Sequence, residues 1–299
     1  MTKSRPLFGI FLALAGGMCW GFSGSCGEFL FKNYGINSAW LCSVRIFCAG
    51  VILLAVSAFK YRPQLAELFK NKKDVGMTVL FGVFGLLMSQ FCYLTAISYS
   101  NAGTATVLQY LGPVMIMILS CLMGKRLPRL GELAALVLAL GGTFLIATHG
   151  NFGTLAISGG ALVFGLLAAV ALLFYTLLPV GIIAKYGTIP VMGCGMTVGG
   201  ALILPVVRPW TYDVSLDLAG FGAFFGIVVV GTLLAYPLYL MGVEYAGAVK
   251  ASVASSIEPV AAAVISAVWL GNSFAFADIV GFAAVISAVV ILSLIGKRE

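Results

Sequence analysis

The sequence is poor in charge. Of its 299 residues 9% are Asp, Glu, Lys or Arg, and only 10 are acidic. Soluble domains are near a quarter charged, so this chain is not a soluble domain. Histidine occurs once, as His149, at the end of an apolar run and without a partner motif. That scarcity argues against a membrane-embedded enzyme, which needs His, Asp or Cys clustered at catalytic spacing. The seven cysteines, Cys19, Cys26, Cys42, Cys48, Cys92, Cys121 and Cys194, form no CxxC pair and all lie in apolar stretches. They read as small apolar fillers, and neither a metal centre nor a disulfide framework is expected. A Walker A motif is lacking too, so ATP hydrolysis is not expected. No cofactor is called for.

What is abundant is apolar. Hydrophobic residues make up 61%, a composition for which a lipid bilayer is the fitting solvent. Ten runs of roughly 20 apolar residues each fall near 7–30, 39–59, 76–98, 103–123, 131–148, 157–183, 190–207, 218–242, 248–270 and 276–296. The first is too long for a signal-peptide core and lacks a convincing cleavage site, so it reads as a span. The connections are short; the longest, near 60–75, reads as a basic surface segment. The net charge of +7 sits between the apolar runs and not on one face, which argues against nucleic acid. With a cytoplasmic N-terminus, fourteen Lys and Arg fall inside, among them Lys72, Lys73, Lys125 and Lys250. Only Lys32 and Arg208 fall outside. The positive-inside rule therefore puts both termini in the cytoplasm.

The chain also contains one stretch twice. Tyr93 to Val114 and Tyr239 to Val260 align without a gap at an offset of 146, with 8 of 22 residues identical. The duplication divides the ten runs into two repeats of five, residues 7–148 and 157–296. Five is odd, so the second repeat must cross the membrane in the opposite sense to the first. The loop charges agree: basic Lys125-Arg126 corresponds to Asn272-Ser273, and outer Thr104 to inner Lys250. The expected fold is an all-α membrane protein of ten helices in two inverted repeats.

Polar residues inside the runs are few, which makes each informative. Gln90 and Tyr93 lie one turn apart, and so do their counterparts Tyr236 and Tyr239. Within spans rather than at their tips, these four read as a cavity lining, with Tyr175 as a further member. Trp20 either stacks on substrate or fills the bundle. Ala13, Gly17, Gly21 and Gly24 read as a packing seam. Pro113 and Pro259 should kink their helices, freeing carbonyls or providing hinges. Just before them lie Gln109-Tyr110 and the matching Ser255-Ser256. The serines either face a transport site or bond back to their own helix. Glu258, whose counterpart is Gly112, costs several kcal/mol mid-membrane, by rough estimate, unless paired, protonated or wet. It is a candidate for proton coupling, for a cationic substrate group, or for a structural bond. Glu28 and Arg45 suggest an ion pair or outer gate.

At these residues the chain resembles the drug/metabolite transporter superfamily, in particular its ten-span group with two EamA domains. The resemblance rests on Trp20-Gly21, SVRIFCAG around Arg45, AISYSNAGTATVLQYLGPV, GVEYAGAVKASVASSIEPV and LGNSFAFADIVGFAAVISAVVIL. It covers essentially the whole chain. It implies a central cavity lined by spans 1, 3, 4, 6, 8 and 9 and a place in the bacterial inner membrane. Members often carry Gly-Glu-Arg after the fourth span and a similar Glu after the ninth. Here those positions read Gly124-Lys125-Arg126 and Gly271-Asn272-Ser273.

The function expected is secondary transport by alternating access, with export of amino acids or related small amphipathic metabolites. An aromatic lining would suit aromatic amino acids. Uptake of a similar metabolite is the nearest rival. A passive channel lacks its charge rings or carbonyl filter here. The partners expected are a small-molecule substrate and the bilayer, with the protein acting as a monomer.

Overall fold

The computed structural model describes residues 5–99, 108–109, 111–125, 127–148, 150–151, 159–270 and 275–296, and among these no strand occurs. The first half comprises α1 (Pro6–Tyr34), α2 (Ser38–Lys60), α3 (Arg62–Lys70), α4 (Lys72–Leu80), α5 (Met88–Tyr99), α6 (Leu111–Met123) and α7 (Leu130–Thr148). The second comprises α8 (Gly159–Leu177), α9 (Val180–Tyr186), α10 (Thr188–Val207), α11 (Leu218–Phe225), α12 (Ala235–Ala246), α13 (Ala248–Ala254), α14 (Glu258–Leu270) and α15 (Phe276–Gly296). Caps explain several starts. Asn37 accepts from Ala39 N at 2.8 Å to open α2, and Asp217 accepts from Gly220 N at 2.8 Å to open α11.

Seven helices among the described residues are long and apolar enough to cross a membrane. They are Pro6–Phe31, Ser38–Lys60, Lys72–Ala96, Leu162–Tyr186, Thr188–Val207, Leu218–Ala246 and Ala248–Trp269. Two more expected runs appear as shorter apolar stretches, Leu130–Gly142 and Phe276–Ile291. The run expected near 103–123 contributes α6. Seven is thus the number of full-length candidates among the described residues, against ten expected runs. Large apolar side chains such as Phe11, Phe59, Val206, Leu218 and Val268 are 62–88% exposed, the surface a bilayer would cover. The segment near 60–75 is more ordered than a surface loop. It forms α3, buries Leu68, and contains the start of α4 with a buried Asp74.

Four helix pairings hold the halves together: α2 on α10, α7 on α15, α1 on α12, and α5 on α8. Each joins one half to the other, and exchanging the halves maps this set onto itself. Small residues make the approach possible. A Cβ added to Gly200 would stand 2.6 Å from the Phe47 Cα, and one on Gly142 2.6 Å from the Gly281 oxygen. Along α1, Gly9 and Gly16 face α12 while Gly17 and Gly21 face the 255–262 stretch. This is the expected seam, except that Gly24 has open space beside it.

The helices lose regular winding at two related places. Phe81–Leu87, between α4 and α5, is π-helical, and so is Gly226–Leu234, between α11 and α12. The offset of 146 carries 81–87 onto 227–233, inside the second segment. In the second, Thr232 Oγ1 donates to the Ile227 carbonyl five residues back, at 2.9 Å. Such wide turns occur mostly as single-turn bulges, often at functional sites.

Candidate functional site

Side chains from both halves meet in an aromatic centre. The Trp20 ring of α1 lies 5.1 Å from Tyr236, 5.3 Å from Tyr239 and 6.4 Å from Tyr175. Tyr175 stands 5.3 Å from Tyr236 and stacks on Tyr239 at 5.5 Å and on Phe81 at 6.0 Å. The last contact ties the centre to the first π segment. Ser23 of α1 abuts Gly231 in the second. Tyr175 and Tyr239 are 1% exposed, so the rings seen here close on one another.

The hydroxyls are individually committed. Tyr175 Oη donates to the Tyr236 carbonyl at 3.1 Å. Thr176 Oγ1 gives its proton to the Leu172 carbonyl at 2.8 Å. The Tyr239 hydroxyl, 2.9 Å from that oxygen, is therefore the donor of their pair. The Tyr236 hydroxyl is within electrostatic range of both Arg45 and Glu258. Arg45 itself is buried, at 9% exposed.

Of the residues expected to form the site, Trp20, Tyr175, Tyr236 and Tyr239 come together. Gln90 is buried and Tyr93 half-buried on α5, with Tyr93 packed against the same apolar core. Gln109 is half-buried just before α6. Tyr110 lies outside the described residues, and so do the side chains of Glu28 and Pro113; the Glu28–Arg45 pair is therefore not seen. What is seen for Arg45 is Tyr236. The serines follow the back-bonding reading: Ser255 Oγ donates to the Ser252 carbonyl at 2.8 Å, and Ser256 Oγ reaches it at 3.4 Å.

Pro259 interrupts the hydrogen bonding of its helix. It has no N–H for the Ser255 carbonyl four residues back. Residues Ser255–Ile257 tighten into a 3₁₀ turn between α13 and α14. Gly17 lies over that carbonyl, where an added Cβ would come within 2.6 Å of the oxygen. The interruption is thus covered by the α1 seam, and Glu258 follows directly as the first residue of α14.

Away from the centre, two tyrosine–aspartate contacts join the halves. The Tyr34 hydroxyl, at the end of α1, donates to Asp217 Oδ1 at the start of α11. The Tyr186 hydroxyl, at the end of α9, donates to Asp74 Oδ2 at the start of α4, at 2.7 Å. Lys185 adds hydrogen bonds of 3.0 and 3.2 Å to the Asp74 carboxylate. Each tyrosine is followed by a glycine with positive φ, 60° at Gly35 and 83° at Gly187, which lets the chain turn sharply into the next helix. Sequence reading missed both contacts. The only signal was the shared Tyr-Gly pair, which lies at an offset of 152 and not 146.

The EamA-like transporter family matches residues 7–148 and again 159–294. An uncharacterized inner membrane transporter, YicL of Salmonella typhimurium, is 38% identical over 97% of both chains. The uncharacterized transporter YcbK of Bacillus subtilis is 24% identical over 77% of both. One from Archaeoglobus fulgidus is 25% identical over 67% of this chain and 70% of its own. A crystal structure at 16% identity superposes with a TM-score of 0.77, covering 97% of this chain and 98% of that one, and so shares the fold.

Proposed function

The chain belongs to the EamA-like transporter family, and from that premise we propose that it is a secondary carrier of the inner membrane. It exports amino acids, aromatic ones among them, or related small amphipathic metabolites by alternating access. The observation that carries this reading is the aromatic centre. Trp20 comes from the first half, and Tyr175, Tyr236 and Tyr239 from the second. A polar-aromatic core at the seam between halves is the place a carrier opens first to one side and then to the other. The relatives' names support transport, and that of the Salmonella relative supports the inner membrane.

Ten spans in two inverted repeats, with cytoplasmic termini, complete the proposal. The self-consistent set of helix pairings and the two matching π segments support it. In this reading the closed rings block passage, and transport requires the halves to part around them. The protein acts as a monomer, and Glu258 carries the coupling proton.

Purified protein in liposomes is expected to catalyse counterflow of an amphipathic amino acid. If a broad panel of amino acids, drugs and nucleosides gave neither counterflow nor thermal stabilisation, the carrier reading would be sunk. Glu258→Gln is expected to abolish pH-driven transport while sparing exchange. Unchanged pH dependence in that variant would remove Glu258 as the proton site.

A further inference from the structure

Two donors at the centre have no acceptor among the described residues. The Trp20 indole Nε1–H is buried with no hydrogen-bond partner among the described residues, and so is the Arg45 Nε–H. Both side chains lie near Tyr236: the Trp20 ring meets its ring edge-on at 5.1 Å, and Arg45 is within electrostatic range of its hydroxyl. Buried donors without partners are rare in folded proteins, and such a pair is suited to the acceptors of a ligand. Both groups can only donate. The deficit is therefore of acceptor oxygens, and one of the donors belongs to a cation.

We propose that Arg45 and Trp20 hold the carboxylate of the transported substrate beside Tyr236. This rests on the carrier reading and specifies the chemistry of its site. A carboxylate suits both donors, because it is acceptor-only and offers about four lone-pair sites on two oxygens. Arginine binds such a group through a planar fork in which Nε–H takes part. A dianionic phosphate fits less well, because the Glu258 carboxylate also lies within electrostatic range of Tyr236. A single negative charge next to Arg45 matches the single positive charge of its guanidinium. The aromatic rings then meet the apolar remainder of the molecule. Arg45 thereby becomes a specificity-determining residue for the acid group, beyond any part in an outer gate.

The test compares L-phenylalanine, L-methionine and L-leucine with their carboxamides, which keep the side chain and amino group but lose the anion. Thermal stabilisation of the wild-type protein in detergent is the first readout. The second is the indole ¹⁵N–¹H resonance of Trp20, assigned by its loss in Trp20→Phe. The expected result is stabilisation by at least one acid and a downfield shift of that resonance, neither produced by its amide. Arg45→Lys keeps the charge but removes Nε, and should weaken binding of the acid about tenfold or more. Amides that bind as well as the acids would overturn the proposal and leave the carrier reading standing. Acids that bind without moving the Trp20 resonance would overturn it as well. Failure of all three acids would overturn the carboxylate assignment, while counterflow with the wider panel would decide separately whether the protein is a carrier. The comparison of acid with amide needs no variant, so misfolding of Arg45→Lys would not shield the proposal.

Discussion

The contact between Tyr34 and Asp217 can be set beside the one between Tyr186 and Asp74. Both close a helix end of one half onto a helix start of the other with a phenol and a carboxylate. They differ in what surrounds the acid. Asp74 is 5% exposed and also holds the Lys185 ammonium, whereas Asp217 is exposed and caps α11 through Gly220 N. At the place equivalent to Lys185, by the offset of 152, the first half has Asn33, which bonds the Phe29 carbonyl instead. Equivalent positions have thus become an ion pair at one end and a helix cap at the other. Under the proposed topology Asp74 is cytoplasmic and Asp217 periplasmic. The lesson is that the two ends need not cost the same to open. The cytoplasmic contact is the harder to break, because its carboxylate is buried and has a second partner in Lys185.

This comparison can be broken directly. The largest effect is expected from Asp74→Asn, which leaves Lys185 facing a neutral amide. Its melting temperature in detergent should fall by about twice as much as that of Asp217→Asn, or more. Equal falls would show that the added ion pair contributes nothing.

Next in size is a shift in accessibility. Cysteines introduced near each end and labelled from either side should report a cytoplasm-open bias in Asp74→Asn and a periplasm-open bias in Asp217→Asn. The same bias in both would refute the assignment of the contacts to opposite faces. At the centre, where the two ends are balanced against each other, Tyr175→Phe removes one buried hydrogen bond. It should destabilise the protein by about 1 kcal/mol without favouring either side.

A smaller effect concerns pH at the outer contact. The Gly220 N–H and then the Tyr34 hydroxyl hold the Asp217 carboxyl below the usual carboxylate range, and the same bond raises the Tyr34 phenol. A lowered carboxylate contributes stability above its unfolded pKa of about 3.9 and loses it as pH falls through the folded value. Melting temperatures of wild type and Asp217→Asn should therefore differ by a constant amount from pH 7 to 5 and converge only in stronger acid. Convergence already near neutrality would show that the contact does not stabilise the folded state. The smallest effect is expected from Asn33→Lys, which adds a cation near Asp217. In this exposed setting a rise above about 2 °C would be a surprise, and would mean that the outer end is less open to solvent than its exposure implies.

Much of the architecture was legible. The helix bounds follow the apolar runs closely, as with 39–59 against Ser38–Lys60 and 190–207 against Thr188–Val207. Length and apolarity set these bounds, and both are local properties. The Pro259 interruption was legible for the same reason. The site was legible in part. Trp20, Tyr175, Tyr236 and Tyr239 stood out as polar or amphipathic groups in apolar surroundings, where few such groups are tolerated. The π segments were not legible, because Gly82, Gly85, Gly226 and Gly231 look like ordinary packing glycines. The role of Thr176 was hidden as well, since a threonine that bonds its own helix gives no sign that it also receives a tyrosine proton.

The sequence by itself determined that the chain is helical, apolar, duplicated and asymmetric in its basic loops. Those properties depend on composition, period and local charge, which no fold can rearrange. Only the tertiary structure decided that α1 meets α12 while α2 meets α10, that Arg45 comes near Tyr236, and that Asp74 acquires Lys185 while Asp217 caps α11. These contacts join residues far apart in sequence. They depend on the rotation of each helix about its axis and on how closely glycines let the backbones approach. Neither is written in any single run of residues, because each is settled by the surface of the partner helix.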